Sequence, residues 1–404
     1  MWSNAHAIDE PATAYTPATA NAPANTSFTP GAHPDPSEFT TNIDNPLYTL
    51  TPGTTFVYKD TGLHNIDYVV VTNETRVVDG VTCVQVHDYN VIDGQLVEDT
   101  LDWYAQDSEG NVWYFGELTQ EYEPGNPNPI GFEGSFEAGV NGAKAGYIME
   151  ANPQVGDSYY EERARGVAVD QAEVAGKHAS VSVVYGSFDN CLKTNNTSPL
   201  EPGHVEHKFY SADVHNVVLE TDNEGGFSPL VEIWRDGTAA GDTLNGYSGR
   251  DVIRGAAGDD HLFGLDGGDK LSGGDGNDFA SGGKGWDVIA GDGGNDTLDG
   301  GNGSDVLTGG FGNDLLTGGA KADHFVFAET DGTAVDTITD YSKGDGDAIV
   351  LDGGKDDVAY DSFMNGAWQL TLNDGHVIVL SGLTDSNHNG HILDNVTILD
   401  AWGA

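Results

Sequence analysis

A nine-residue repeat runs from Gly237 to Val326 and constrains the fold of this chain more than any other feature. Each of ten consecutive units begins with glycine and carries aspartate at its sixth place and an apolar residue at its eighth. The aspartates are Asp242, Asp251, Asp260, Asp269, Asp278, Asp287, Asp296, Asp305, Asp314 and Asp323. The apolar residues are Leu244, Ile253, Leu262, Leu271, Ala280, Ile289, Leu298, Leu307, Leu316 and Phe325. A flexible glycine-rich linker would have no reason to hold these columns in register, so the repeat predicts a solenoid.

Each part of the unit has its own physical role. Places seven to nine form a short strand whose middle side chain points inward, so stacked units build one thin core. Glycines in the first six places permit a tight reversal and let carbonyl oxygens point inward. The aspartate adds a carboxylate to those carbonyls, and calcium accepts six to eight such oxygens at about 2.3–2.6 Å. Magnesium, which demands stricter octahedral geometry, fits less well.

The aspartate columns also predict that folding depends on the cation. Aspartates spaced one β-ladder apart, about 4.8 Å, repel one another strongly unless a cation lies between them. Because binding energy then becomes folding energy, we expect a parallel β-roll that is disordered without calcium and folded with several calcium ions bound.

The units resemble the RTX repeat, Gly-Gly-x-Gly-x-Asp-x-apolar-x, most clearly from Gly273 to Thr317. The resemblance implies a right-handed roll with two units per turn, in which each calcium lies between one unit and the unit two further on. The first unit of such a pair would offer carbonyls from places two and four with its aspartate. The second would offer carbonyls from places one and three with its aspartate.

The resemblance therefore implies specific ligand sets. They are Gly274, Gly276 and Asp278 with Gly291, Gly293 and Asp296; Gly283, Gly285 and Asp287 with Gly300, Asn302 and Asp305; and Asp292, Gly294 and Asp296 with Gly309, Phe311 and Asp314. Similar sites would extend toward Gly255 and Asp323, so that every repeat aspartate from Asp251 onward is a predicted ligand. Ala240 and Lys321 replace the fourth-place glycine at the two ends, which should bind weakly or act as caps.

The charge of the chain agrees with a cation-binding role. Lys and Arg number 16 against 65 Asp and Glu, giving a formal net charge of −49. This imbalance argues against nucleic acid and anionic membrane surfaces as partners, since both require a basic surface. A generic acidic, soluble surface is the alternative explanation. No apolar run reaches membrane-spanning length, so no membrane span is expected.

Composition divides the chain into four parts. Residues 1–40, rich in Ala, Pro, Thr and Asn, predict a flexible leader, and residues 41–236 predict a β-rich domain. Its short Val-, Tyr- and Phe-rich segments favour an antiparallel β-sandwich or barrel, with a hairpin that turns at residues 107–111. The roll occupies 237–326, and 327–404 would form a cap. The chain as a whole is therefore predicted to be all-β.

Cys83 and Cys191 either form a disulfide or are both buried as small apolar residues.

Several features point to export. The first residues have neither the basic start nor the apolar core of a cleavable signal peptide. By resemblance to RTX proteins, the segment 327–404 contains strands that close the roll. The same resemblance implies that its end, Val396 to Trp402, carries the signal for type I secretion. Cytosolic calcium is too low to fold such a roll, so the chain would pass the type I machinery unfolded and fold outside. We expect an extracellular protein.

The function of the N-terminal domain is less constrained. Residues 38–220 resemble an uncharacterised family of exported bacterial β-domains, on motifs such as Asp102-Trp-Tyr-Ala-Gln-Asp107 and Val205-Glu-His-Lys-Phe-Tyr210, but no activity can be transferred. Glu206, His207 and Asp102 are the weak catalytic candidates, and the aromatic residues at 103–104 and 113–115 either pack a hairpin core or line a pocket. Two functions stay open: binding of a small ligand, glycan or surface partner, or an extracellular hydrolytic enzyme.

Overall fold

The computed structural model describes residues 35–60, 65–327, 333–351, 354–381, 383, 392–393 and 396–400. Apart from two short 3-10 helices, Pro36–Glu38 and Gly354–Asp357, the regular elements of these residues are β-strands. This confirms the all-β prediction. Most of the predicted leader lies outside the described residues. Within the described residues, no helix is long and apolar enough to cross a membrane.

The N-terminal part is an antiparallel sheet that closes on itself. Its strands are β1 (Phe39–Thr40), β2 (Ile43–Asn45), β3 (Tyr48–Leu50), β4 (Thr54–Lys59), β5 (Asn65–Val78), β6 (Val81–Ile92), β7 (Gln95–Asp107), β8 (Val112–Glu121), β9 (Phe136–Glu137), β10 (Lys144–Met149), β11 (Ser158–Tyr160), β12 (Glu162–Arg163), β13 (Gln171–Ser182), β14 (Ser187–Thr197), β15 (Glu206–Ser211), β16 (Asn216–Asp222) and β17 (Phe227–Asp236). Neighbours pair in order from β4 to β8, β8 pairs with β10, and β10 pairs with β12. β11, which precedes β12, pairs with β13, and β13 to β17 again pair in order. The segment Ser158–Arg163 pairs with β13 through β11 and with β10 through β12, and β17 pairs with β4. The circuit of strands therefore closes on itself, as in a barrel rather than a sandwich.

The predicted hairpin at residues 107–111 forms the β7–β8 junction. Asp107 Oδ1 accepts the backbone N–H groups of Glu109 at 3.0 Å and of Asn111 at 2.9 Å, which fixes the turn. The aromatic residues of this hairpin are all buried, and strand alternation divides them between two cores. The tyrosines at 104 and 114 point into the barrel, whereas the tryptophans at 103 and 113 and Phe115 pack in a second cluster on its outer side. Their positions fit hairpin core packing.

Both cysteines are free and buried. Cys83 belongs to the outer cluster and Cys191 to the barrel core, so the two thiols lie in different hydrophobic layers. The structure therefore matches the second of the two sequence-based alternatives, in which both are small apolar residues.

The barrel passes directly into two parallel sheets. The strands that follow are β18 (Thr243–Asn245), β19 (Asp251–Ala257), β20 (His261–Gly267), β21 (Lys270–Asp275), β22 (Phe279–Gly285), β23 (Val288–Gly293), β24 (Thr297–Gly303), β25 (Val306–Phe311), β26 (Leu315–Ala320), β27 (His324–Phe327), β28 (Val335–Ile338), β29 (Ala348–Leu351), β30 (Val358–Met364), β31 (Ala367–Leu372), β32 (Val377–Leu380) and β33 (Ile398–Asp400). Odd-numbered strands from β17 to β29 pair in one parallel sheet, and even-numbered strands from β18 to β28 in the other. Successive units of the repeat therefore lie in alternate sheets, which confirms a parallel roll with two units per turn.

The parallel ladder extends beyond the repeats at both ends. On the N-terminal side, Ile233 of β17 pairs with Asp251 of β19, so a barrel strand is the first rung of the roll. On the C-terminal side, β28 pairs with β32, which continues antiparallel through β31 to β30, while β29 pairs with β33. These strands cover the end of the roll and remove an open parallel edge. The predicted export signal lies partly outside the described residues.

Candidate calcium sites

The roll has one continuous apolar core. Every eighth-place residue from Leu244 to Phe325 is buried, and all ten belong to one cluster that continues into the cap. The predicted core column is therefore confirmed. It holds the two sheets together and fixes the position of the sixth-place aspartate two residues earlier in each unit.

The aspartates form two buried columns joined by hydrogen bonds. Asp278 Oδ1 accepts the backbone N–H of Asp260 at 2.8 Å, and Asp296 Oδ1 accepts that of Asp278 at 2.8 Å. The same bond recurs along both columns between aspartates that are 18 residues apart. One oxygen of each carboxylate is thus used to lock a unit onto the unit two before it.

In seven of these aspartates the second carboxylate oxygen is buried and makes no hydrogen bond. Buried Oδ2 atoms that make no hydrogen bond are those of Asp260, Asp269, Asp278, Asp287, Asp296, Asp305 and Asp323. A buried polar atom left unpaired costs about 1–3 kcal/mol, and more when it is charged. A row of such oxygens is therefore unfavourable unless a cation binds them.

Carbonyl oxygens converge on the same space. Asp278 Oδ2 and the carbonyl oxygen of Gly291 lie 2.2 Å and 2.8 Å from the point where a Cβ on Gly273 would stand. Asp296 Oδ2 and the carbonyl oxygen of Gly309 lie 2.2 Å and 2.5 Å from the corresponding point at Gly291. The first-place glycine thus leaves open a cradle lined by a carboxylate of one unit and a carbonyl of the unit two further on. Both types of oxygen suit calcium.

The second- and fourth-place carbonyls point along the stack toward the next unit on the same side. The oxygens of Gly276 and Gly285 lie only 1.7 Å from where a Cβ would stand on Gly294 and Gly303, respectively. Gly283 also has a φ of +102°, a region that side chains with a Cβ rarely adopt. Glycine is needed here because the carbonyl of the previous turn occupies the side-chain space.

The predicted third-place ligands already accept one hydrogen bond each. The carbonyl oxygen of Gly293 accepts the N–H of Gly276 at 2.7 Å, and that of Phe311 accepts the N–H of Gly294 at 2.8 Å. A carbonyl oxygen has two lone pairs, so each keeps one for a cation.

Burial raises the pKa of several aspartates in the columns. Removal from water raises the pKa of Asp269 to about 8 and that of Asp296 to about 7, with neighbouring aspartates adding repulsion. Burial likewise raises the pKa of Asp305 and Asp323 to about 6. The ionised form is thus penalised by the fold itself, and a bound cation would offset that penalty.

The N-terminal end of the columns is closed by protein groups. Asp242 Oδ2 accepts both the N–H and the hydroxyl of Thr238, at 2.7 Å and 2.9 Å. Asp251 accepts the Tyr185 hydroxyl on Oδ1 at 2.8 Å and the N–H of Tyr247 on Oδ2 at 2.7 Å. Tyr185 comes from the barrel, so the barrel contributes a hydrogen bond to the first carboxylate of its column. Both carboxylate oxygens of Asp251 are therefore already engaged by protein groups.

The C-terminal end is closed in the same way by two aspartates outside the repeats. Asp336 Oδ1 accepts the N–H of Asp314 at 2.8 Å, while its Oδ2 lies 2.8 Å from Nε2 of His376. Asp347 Oδ1 accepts the N–H of Asp323 at 3.0 Å. Sequence reasoning missed both because the nine-residue spacing is lost there. Each nevertheless keeps the repeat's Asp-x-Ile triplet, which is the signal that could have identified them.

The structure does not bring the weak catalytic candidates of the barrel together. Glu206 lies 3.4 Å from the Lys208 ammonium, whereas His207 Nδ1 lies 2.8 Å from Oδ1 of Asn195 on the next strand. Because adjacent residues of a strand point to opposite faces, Glu206 and His207 cannot act on one group. In the part of the chain that the structure describes, no three or more His, Cys, Asp or Glu side chains are placed to hold one metal ion. The roll differs because backbone carbonyls supply much of each site.

Asp102 has a separate buried environment. Its Oδ1 accepts the hydroxyl of Tyr114 at 2.5 Å, and that hydroxyl also lies 2.9 Å from Oε2 of Glu117. Burial raises the pKa of Asp102 to about 8 and that of Glu117 well above its usual range. Asp102 and Glu117 thus share the Tyr114 hydroxyl, at a distance from Glu206 and His207 along the sheet, and a catalytic role for Asp102 stays a prediction.

Comparison with known proteins agrees with the roll geometry. A family model described as the RTX calcium-binding nonapeptide repeat (4 copies) matches residues 236–271, 263–298 and 291–325. No curated protein matches the chain. The matched residues coincide with the part of the chain that forms the two parallel sheets and the aspartate columns. Residues 236–325 of this protein are therefore calcium-binding RTX repeats folded as a parallel β-roll.

Proposed function

We propose that this protein is a secreted calcium-binding protein whose roll folds around several calcium ions outside the cell. The observation that carries the proposal is the row of buried, unpaired Oδ2 atoms, five of which lie beside a carbonyl oxygen of a neighbouring turn: those of Asp260, Asp269, Asp278, Asp296 and Asp305. Such a row is unfavourable as a metal-free structure and favourable as a ligand set. The specific aspartates and carbonyls assigned to each ion above form part of this proposal.

Calorimetric titration of the decalcified full chain tests the calcium part. We expect several calcium ions to bind each chain with saturation, and magnesium at the same concentration to bind much more weakly, because it retains water and demands octahedral geometry. Equal heats for the two metals, or binding without saturation, would show that the acidic surface merely attracts counter-ions.

The extracellular location rests on the chemistry of folding. A roll whose carboxylates need calcium is best folded where calcium is abundant, and the resemblance to RTX proteins supports passage through type I machinery with a signal in residues 327–404. We expect the full chain to reach the medium of bacteria that carry a type I exporter active on RTX proteins. Cells that lack only the exporter should retain it, and equal release from both would contradict the proposal.

For the barrel we propose ligand binding rather than a purely structural role. The support is its polar, carboxylate-rich interior, which a core built only for stability would not require, since buried carboxyls are costly. The sequence predicts a small ligand, a glycan or a surface partner, and the interior of the barrel favours a small ligand among these.

A further inference from the structure

A small cavity at one end of the barrel interior is surrounded by hydrogen-bond acceptors. Carboxylates from four strands line it: Asp67 on β5, Asp88 on β6, Glu98 on β7 and Glu220 on β16. Its volume of about 20 Å³ is enough for one water-sized group. All four carboxylate residues keep partial exposure, so the cavity communicates with solvent at this end of the barrel.

Two amide oxygens add to this acceptor lining. Asn65 and Asn90 both line the cavity, and the Oδ1 atom of each is buried without a hydrogen-bond partner. Asn65 is only 3% exposed. A buried amide oxygen that faces a cavity and bonds to nothing is expected to meet a donor from outside the chain.

The charges around the cavity are not balanced by the protein. In the described part of the chain, Glu220 is the member of these four that forms an ion pair. Its Oε1 lies 3.5 Å from the Lys208 ammonium. Burial raises the pKa of both Asp67 and Asp88, and the charge of the nearby Asp67 raises that of Asp88 further. The charged form of these two carboxyls is thus penalised by burial, and an added cation would stabilise it.

The arrangement selects among cations. No three of the described acidic or histidine side chains lie around one point, as a metal site built from side chains would require. A guanidinium is a planar fork, too large for a space that holds one water-sized group. An ammonium group is close to water in size and has three N–H donors for separated acceptors. The neighbouring Lys208 already places one such group between Glu206 and Glu220, at 3.4 Å and 3.5 Å.

We propose that this cavity binds the protonated primary amino group of a small aliphatic amine, with the rest of the ligand directed out of the barrel. The inference deepens the ligand-binding role proposed for the barrel and is independent of calcium binding by the roll. Asp88, Glu98 and the Oδ1 atom of Asn65 would accept its three N–H bonds.

Calorimetry on the full chain in saturating calcium tests this, with butylammonium as the probe. Saturable binding is expected for butylammonium and not for tetramethylammonium, which has the same charge but no N–H and a larger head. Asp88→Asn and Glu98→Gln should each weaken binding on the order of tenfold, as expected for loss of a charge-assisted hydrogen bond. Glu123→Gln removes the same charge from an exposed loop and should leave binding unchanged.

Asn65→Ala tests the loss of one hydrogen-bond acceptor without a change in net charge or, as we expect, in folding. It removes an acceptor that has no protein partner, so near-ultraviolet circular dichroism and calcium binding should stay as in the parent while butylammonium binding weakens. No saturable butylammonium binding, equal binding of tetramethylammonium, or equal losses in Glu123→Gln and Glu98→Gln would overturn the proposal. A screen that finds another ligand class in the barrel would then preserve the broader binding role and exclude the amine.

Discussion

Removal of calcium with excess chelator should unfold the roll while the barrel keeps its sheet. The repeats have a thin core of one apolar side chain per unit, and without a cation their buried carboxylates remain unpaired. One site contributes about 2.7 kcal/mol when calcium is a hundredfold above its Kd. A few sites thus supply as much free energy as the whole stability of a typical domain, about 5–15 kcal/mol.

The two parts of the chain can be followed separately in that experiment. Far-ultraviolet circular dichroism should lose part of its β signal, and amide hydrogen exchange should lose protection in residues 237–326 and keep it in the barrel strands. The barrel has its own core of residues from strands throughout its circuit, which does not depend on the aspartate columns. A full β signal in excess chelator, or equal loss of protection in barrel and roll, would contradict this prediction.

The roll could be predicted from sequence because each column of the repeat has one local physical task. The residues at places one, two and four are limited by close backbone approach, as at Gly294 where a neighbouring carbonyl occupies the side-chain space. The eighth place is limited by the core. A slip of one residue would expose the core residue and misplace the aspartate, so register is strongly specified.

For the N-terminal domain, the sequence predicted only the fold class, an antiparallel β-sandwich or barrel, and not the order of its strands. Which strands become neighbours depends on contacts between distant segments, such as β17 with β4, and on register shifts such as the one between Trp103 and Tyr104. Nothing local in the sequence encodes these. The carboxylates of the cavity illustrate the same limit, since Asp67 and Glu220 come from opposite ends of the domain and face one space only after the sheet closes.

The ends of the roll were predicted in principle but not in detail. Weak or capping end units were expected from Ala240 and Lys321, and the structure shows what does the capping. Tyr185 from the barrel bonds to the column aspartate Asp251 at one end, and His376 from the C-terminal sheet bonds to Asp336, which follows the columns at the other end. Such contacts arise from tertiary docking, which a repeat pattern cannot contain.

A single substitution of an aspartate in the middle of a column should have a larger effect than loss of a charge outside the columns. Under the proposed assignment, Asp287 serves two ions, one shared with Asp269 and one with Asp305. Asp287→Asn keeps an amide oxygen that can accept the N–H of Asp269, now bonded at 2.8 Å, so the chain path is preserved. It removes a charged ligand from both sites. At calcium a hundredfold above Kd, the full loss of two sites corresponds to about 5 kcal/mol of folding free energy.

The calcium concentration at half-maximal folding, followed by circular dichroism, measures this effect. We expect the midpoint for Asp287→Asn to rise on the order of tenfold or more and the transition to become less steep, because two adjacent sites weaken together. Asp275→Asn is the matched control: the Asp275 side chain is exposed and lies outside the columns, and the substitution leaves the backbone carbonyl of this third-place residue unchanged. If both variants shift the midpoint equally, net charge rather than ligation governs folding, and the assignment of the column aspartates as calcium ligands fails.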